Sequence, residues 1–564
     1  MSKASSLALS RAKRKAEKLL KAKRLPEALA AYREFCQQAP QDHSSWLILG
    51  KLAAQLGDPA SAEQAWLQAL AIKPEFMEAH RLLAPMYAKH GHWVRAEPHY
   101  RACLASESGS VELVGQLAIC LEAQGKTTEA AEFYRQQLAS GARNASACLG
   151  LGRCLRNLGQ DEKAAAMIDE ALALQADLAL AHFEQAQLLR QAQDYPAAID
   201  ALQRFIELEP RERESYLLSL AAVYSEQEQY EQALACYDEL LKTHPQSAQA
   251  HWSRSLLLLG LGRWQEGWQA FEWRRQYPDW RRQVESYATL APVWQGESLS
   301  AKRILVFAEQ GFGDTLQFCR YLPALVEQGA EVSFHCQPEL IALMDRFDGV
   351  TSLTRDVQQP PAEPFDYYLP LMSLPGRLGL TSESLPQPQP YLQADEERVA
   401  HWRQALVGSD LKLGLVWAGA AINPSNRRRS YGLSTYAPII NLAGLECYSL
   451  QLDPSSADKR SASWQGLTDL APQIKDFADT AAIIANLDLV ITADTAVAHL
   501  AGAMGKPVWV LIYAAPDWRW QQDGECSRWY PQMRLFRQQL GESWDTVAAR
   551  VAAALGAELQ TRGQ

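Results

Sequence analysis

The chain has 564 residues, with 48% hydrophobic and 21% charged residues and a formal net charge of −10. That length exceeds one compact core and points to two to four domains; the acidic balance gives nucleic-acid binding no global electrostatic support. No apolar run approaches the roughly 20 residues of a membrane span.

The N-terminus offers no signal-peptide core, because the basic run at 11–24, RAKRKAEKLLKAKR, interrupts any apolar stretch. This run reads as the solvated face of a first amphipathic helix. The ten cysteines are scattered, without a CxxC pair or a metal-like spacing to histidine. Such usage is expected of reduced, mostly buried thiols in a cytoplasmic protein.

A 34-residue period then governs the first half. Small residues stand at Ala28, Ala62, Ala96, Ala130, Ala164, Ala198, Ala233 and Gly267, and four residues after each comes a bulky one: Tyr32, Trp66, Tyr100, Tyr134, Ile168, Leu202, Tyr237 and Phe271. Prolines follow at 40, 74, 210 and 245. The small residue lets two antiparallel helices approach, the bulky residue fills the same face one turn later, and proline ends the second helix. This is the tetratricopeptide pattern, with about eight repeats over 1–285. Stacked repeats make an all-α superhelix whose concave groove suits a protein partner.

The segment 286–300 breaks the helical period as a junction. From Ile304 to Phe307 an apolar strand meets a turn with Gly311 and Gly313, and a helix and a second strand at Val332–Cys336 follow. This βαβ unit implies a parallel sheet. A further strand is expected at 366–371, and PQPQPY at 386–391 interrupts regular structure. A second series of strands is expected at 412–419, 447–452, 474–479, 487–492, 507–512 and 533–536. The chain then divides into an N-terminal lobe, 301–395, and a C-terminal lobe, 396–564, two Rossmann-like sheets of which the first is smaller.

Ligands in such sheets bind at the carboxyl ends of strands. Asp494, Thr495 and His499 sit just past one of them, at a helix start. Unpaired N–H groups and the helix dipole favour phosphate there. Asp494 is expected to cap the helix or accept from a sugar hydroxyl, Thr495 and the backbone to take phosphate, and Ala498 and Gly502 to let the helix lie close to the sheet. The turn at 309–318 places Gly311, Gly313, Asp314 and Thr315 on the opposite wall. Asp314 is either a general base for an acceptor hydroxyl or a capping residue. The loop 416–432 gathers Arg427, Arg428 and Arg429, and diphosphate neutralisation by Arg428 or Arg429 is expected. Trp417 and, in the loop 516–531, Trp518 and Trp520 either stack on a base or sugar or pack within the protein.

On these residues the second half resembles the heptosyltransferase-type family of GT-B glycosyltransferases. The match rests on Gly313-Asp314 after the first strand, on Asp494, Thr495, His499 and Ala501, and on the basic loop Arg427–Arg429, where the family often has a lysine. The whole architecture is similar to bacterial tetratricopeptide-repeat glycosyltransferases, including those that modify flagellin in the cytoplasm. The resemblance implies transfer of a sugar from a CMP-, ADP- or UDP-linked donor to a hydroxyl, with Asp314 as base, inversion at the anomeric carbon, no metal and no further cofactor. It implies a protein acceptor such as flagellin docked on the repeats. Two alternatives are a lipopolysaccharide or capsule glycosyltransferase and a non-catalytic scaffold with a decayed transferase domain.

Overall fold

The computed structural model describes residues 3–562 except 108, 142–143, 355–363, 382–388 and 420–425, and its described side chains also leave out 3–7, 278–279, 282–283, 426–427 and 562. By internal contacts the chain forms two compact units, Met1–Arg211 and Glu212–Gln564.

Among the described residues the first unit is six helix pairs. Its opening helix, Lys3–Lys21, carries the basic run, and its side-chain partners include Asp42, which accepts from Lys13 Nζ at 2.5 Å. All six of the unit's small residues, from Ala28 to Ala198, are fully buried, and the bulky residue one turn on is at most 4% exposed. Helices end at Gln38, Ile72 and Leu208, two residues before the prolines at 40, 74 and 210, since the residue ahead of proline is pushed out of the helical region. Close approach is literal at Gly50: a methyl group there would overlap the Trp66 indole, which donates to the Leu47 carbonyl at 3.3 Å.

The second unit begins with two more helix pairs, Arg213–Glu226 with Tyr230–Thr243 and Ala248–Gly260 with Trp264–Phe271, followed by the helix Pro278–Ala288. The last two repeats thus group with the α/β region. The junction joins the first sheet's edge: Trp294 N–H donates to Tyr368 O, and Tyr368 N–H donates to Pro292 O, both at 3.0 Å.

The first sheet has four parallel strands, β1 Arg303–Phe307, β2 Glu331–Cys336, β3 Val350–Thr354 and β4 Tyr367–Pro370, in the order β3-β2-β1-β4. The second has six, β5 Leu411–Val416, β6 Leu445–Ser449, β7 Thr468–Asp469, β8 Leu489–Ala493, β9 Val508–Ile512 and β10 Met533–Arg537, in the order β10-β9-β8-β5-β6-β7. The central strands β1, β8 and β9 are buried almost throughout, as parallel strands covered on both faces must be. Chain order reverses between β1 and β4 in one sheet and between β5 and β8 in the other.

Three strand expectations change. No strand forms at 474–479: Asp476 caps the helix Phe477–Asn486 by accepting from Asp479 N–H at 2.9 Å. The strand expected at 447–452 starts earlier, at Leu445. β3 and β7 were not foreseen, being short edge strands whose half-exposed residues make no apolar run. Of the segment 386–391, residues 386–388 lie outside the described residues. The helix Glu396–Arg403 packs on the second lobe, with Arg398 Nη1 on Asp476 at 2.6 Å and Asp479 at 2.9 Å.

Replacing Gly50 with valine is expected to lower the unfolding free energy of the repeats by about 1–3 kcal/mol, the usual consequence of overfilling a packed contact. Urea unfolding of the full chain followed by far-ultraviolet circular dichroism checks this.

Candidate active site

Loops from the carboxyl ends of β1, β5, β8 and β9 converge. After β1 the chain passes Gln310, held at φ 50°, a left-handed value that a non-glycine residue adopts only when its surroundings impose it. Gly311 then caps the helix Phe312–Phe318. Asp314 stands in that helix's first turn, where Oδ2 accepts from Gly311 N–H at 2.9 Å and Oδ1 accepts from Arg519 Nη2. The carboxylate therefore fixes the turn that presents it.

Gly313 explains the glycine-aspartate pair. A methyl group there would sit 2.9 Å from His499 Cδ2 and 3.6 Å from Ala496 Cα. The β1 turn thus rests directly on the helix Ala496–Ala503 that follows β8. The two sequence-derived segments, 311–315 and 494–499, meet.

Arg519 is the residue that sequence reasoning passed over. It lies between Trp518 and Trp520, whose indoles are the more conspicuous side chains. It is 8% exposed. Its Nε donates to Gln317 Oε1 at 2.5 Å, Nη1 donates to Asp517 Oδ1 at 2.9 Å, and Nη2 donates to Asp314. One planar guanidinium thereby joins the loop after β9 to the turn after β1. Neighbouring carboxylates Asp517 and Asp314 offset its burial and raise its pKa further. Its signal in the sequence was one basic residue inside an otherwise aromatic stretch.

Across the β5/β8 reversal, Arg429 Nη1 donates to Asp494 Oδ2 at 3.0 Å. Burial raises the Asp494 carboxyl above the ordinary range, with Arg429 pulling the other way. Asp494 is not the helix cap. Thr495 holds that position, in extended backbone and without a side-chain cap bond, and its hydroxyl lies 3.0 Å from that of Thr492. The guanidinium partner draws the Asp494 side chain away from the helix start. Arg428 points elsewhere: Nη1 donates to Glu226 of the penultimate repeat at 2.7 Å. The backbone of Arg427 lies in the short helix Asn426–Arg429, and its side chain lies outside the described residues.

Other expected ligands are committed to packing. Thr315 is fully buried, and its hydroxyl donates to Gln337 Oε1 at 3.0 Å. His499 is 5% exposed, stacks on Trp520 with ring centroids 5.2 Å apart, and places Nδ1 3.0 Å from the Tyr530 hydroxyl. It acts as the floor under Gly313. Trp417 and Trp520 are at most 2% exposed. Trp518, at 5%, packs edge-on against Trp268 and Trp529. A stacking platform needs an open ring face, so these three indoles are core residues in this conformation.

Burial first, then Arg519, Arg320 and Arg429, hold the His499 pKa well below its usual value. Arg320 supplies its charge from an aromatic setting, 4.5 Å from the Tyr391 ring centroid and 5.0 Å from that of Tyr530, with Nη1 donating to Trp529 O at 3.3 Å. Asp314 and Asp494 are each held by an arginine, and the turn that carries Asp314 rests on a helix start that lacks a side-chain cap. Such a site suits an anionic ligand beside a group that accepts a proton. Among the described residues no group of three or more His, Cys, Asp or Glu side chains is placed to hold a metal ion.

The fold and site define a class: tetratricopeptide helix pairs followed by an α/β region of two parallel sheets, an architecture consistent with GT-B glycosyltransferases. Residues 454–521 match the glycosyltransferase family 9 (heptosyltransferase) model, and tetratricopeptide models match 13–80, 81–145, 121–188, 180–211 and 218–279. These findings support a tetratricopeptide-repeat glycosyltransferase. Protein FlbA of Caulobacter vibrioides is 30% identical over 332 residues, and the match covers 55% of this chain and 55% of that protein. The chain thus aligns with about half the length of this curated relative.

Among solved structures, YrrB, described as a tetratricopeptide protein with an unusual peptide-binding site, is 16% identical over 34% of this chain and 97% of its own, with a TM-score of 0.29. Pseudomonas aeruginosa PilF is 21% identical over 37% and 94%, also at 0.29. At such scores nothing further rests on these likenesses. No described helix is long and apolar enough to cross a membrane.

Gly313→Ala is expected to separate the β1 turn from His499, costing about 1–3 kcal/mol; thermal unfolding of the full chain measures it. Because His499 stays neutral when folded, the unfolded chain binds a proton below about pH 6.5 that the folded chain refuses. The contribution is present above that pH and is lost as the pH falls. His99 and His335, whose pKa values burial lowers to about 4, act in the same direction. Between pH 6.5 and 5.5, His499→Gln is expected to reduce the fall in stability by about 1 kcal/mol. Urea unfolding at the two pH values decides it.

Proposed function

We propose that this chain transfers a sugar from a nucleotide-linked donor to a hydroxyl of a protein acceptor. The observation that carries this reading is the contact between the Asp314 turn and the 494–499 turn, seen in Gly313 lying against His499 at the carboxyl ends of two parallel sheets. The family 9 match over 454–521 includes Asp494, Thr495, His499 and Arg519.

In the proposed reaction Asp314 takes the proton of the acceptor hydroxyl, whose oxygen attacks the anomeric carbon. The bond from that carbon to the donor phosphate breaks, and the nucleotide leaves with the electron pair. Arg429, Arg519 and the N–H groups at the start of Ala496–Ala503 offset the developing negative charge. A single displacement inverts the anomeric centre. No metal enters the scheme, and the co-substrate is a CMP-, ADP- or UDP-linked sugar.

The repeats would dock the acceptor and raise its concentration at the site. Flagellin is the acceptor that the family resemblance suggests. The cysteines, none of them in a disulfide, agree with a reaction in the reducing cytoplasm.

The test incubates the full chain with each donor class, with and without folded flagellin, and follows the acceptor's mass. A sugar-sized gain with one donor is expected. Asp314→Asn should lower kcat about 10²–10⁴-fold, the range for a lost general base, while donor affinity by calorimetry stays within about threefold, less than 1 kcal/mol. Transfer to a glycolipid without any protein acceptor, or unchanged turnover in Asp314→Asn, would falsify this reading.

A further inference from the structure

One buried ionic network in the second unit has no place in the reaction scheme. Arg274, just after the last repeat's second helix, is fully buried. Its guanidinium grips Glu309 from two nitrogens, Nε to Oε1 at 3.1 Å and Nη2 to Oε2 at 2.8 Å. Nη2 also donates to Ser373 Oγ at 2.8 Å, and Nη1 donates to Phe271 O at 3.2 Å and Glu272 Oε1 at 3.0 Å. Glu309 is 2% exposed and also accepts from Met372 N–H at 3.2 Å.

The location matters more than the burial. Glu309 leaves the carboxyl end of β1 and directly precedes strained Gln310 and the cap Gly311, whose N–H holds Asp314. Met372 and Ser373 leave the carboxyl end of β4. Arg274 therefore reaches from the last repeat into the place where the first sheet's chain order reverses between β1 and β4. A fork donating to both neighbouring loops sets where the next five residues start. Nearby, Trp264 stacks on Trp529 at 5.2 Å and Trp268 packs on Trp518, the neighbour of Arg519. The last repeat thus braces both the turn that carries Asp314 and the loop that carries its arginine.

We propose that Arg274 is a positioning residue for Asp314, acting through Glu309, so that the last repeat is a built part of the active site. The catalytic consequence rests on the transferase reading above; the structural one does not. A guanidinium fork is required, because lysine keeps the charge but offers one point of attachment.

The experiment compares Arg274→Met, Arg274→Lys and the double variant Arg274→Met/Glu309→Gln in the full chain. Amide hydrogen exchange is read at residues 310–318, at β1 and across the first unit, alongside kcat and KM. Exchange at 310–318 is expected to rise about tenfold or more in Arg274→Met and less in Arg274→Lys, with β1 and the first unit unchanged; tenfold corresponds to about 1.4 kcal/mol of local opening. In Arg274→Met kcat should fall at least tenfold with KM within about twofold, the mark of an interaction made in the transition state; Arg274→Lys should recover part of it.

Removing one partner of a buried pair leaves an unpaired charge, whereas neutralising both is often tolerated. If Arg274→Met does not fold, the double variant supplies the exchange readout. Unchanged exchange at 310–318 in a folded variant, or an equal rise over β1, overturns the proposal. If the wild-type chain transfers no sugar, the transferase reading fails while the exchange pattern still decides Arg274's role.

Discussion

Two arginine–carboxylate pairs govern the α/β region: Arg519 with Asp314, and Arg429 with Asp494. Each links segments far apart in the chain, and each carboxylate lies at the carboxyl end of a central parallel strand. Partly dehydrated carboxylates are costly without a cation beside them. Pairing therefore dictates where both loops stop. The contact of Gly313 on His499 follows, because the β1 turn and the β8 helix are brought within van der Waals reach of each other.

The same pairs connect stability to chemistry. The proposed transfer needs cations for a leaving phosphate and a carboxylate for the acceptor proton. In this molecule the two kinds of group neutralise each other and line the meeting of the sheets. Arg320 completes the arrangement from an aromatic cage of Tyr391, Trp529 and Tyr530, leaving three guanidiniums around one neutral imidazole. This clustering of opposite charges does not reflect the chain's net charge of −10; it is local, set by which side chains the fold encloses.

The repeats and the α/β region are not a simple tandem. The last two helix pairs share a compact unit with both sheets. Trp264 and Trp268 contribute to the same apolar core as β1 and β8 residues such as Ile304, Val306 and Val490. Arg428, expected at a phosphate, instead binds Glu226 of a repeat helix. Tyr230 donates to Gln522 at 2.8 Å. These contacts give repeat residues a part in holding the loops after β5 and β9.

What the sequence by itself determined was the periodic and the local. The 34-residue spacing of small and bulky residues specified the helix pairs, because each pair buries its own face against a neighbour a few dozen residues away. Apolar runs marked the central strands, and Gly313-Asp314 and Asp494–His499 fell at strand ends, where parallel topology gathers ligand-binding loops. The tertiary structure alone decided partner choice. Asp494 turned to Arg429 instead of capping its helix, Thr495 took the cap, Trp417, Trp518 and Trp520 went into cores, and Arg519 and Arg274 found carboxylates 205 and 35 residues away. A side chain's spacing records which face of an element it occupies. Which distant charge meets it depends on how lobes and repeats pack, and no local pattern encodes that.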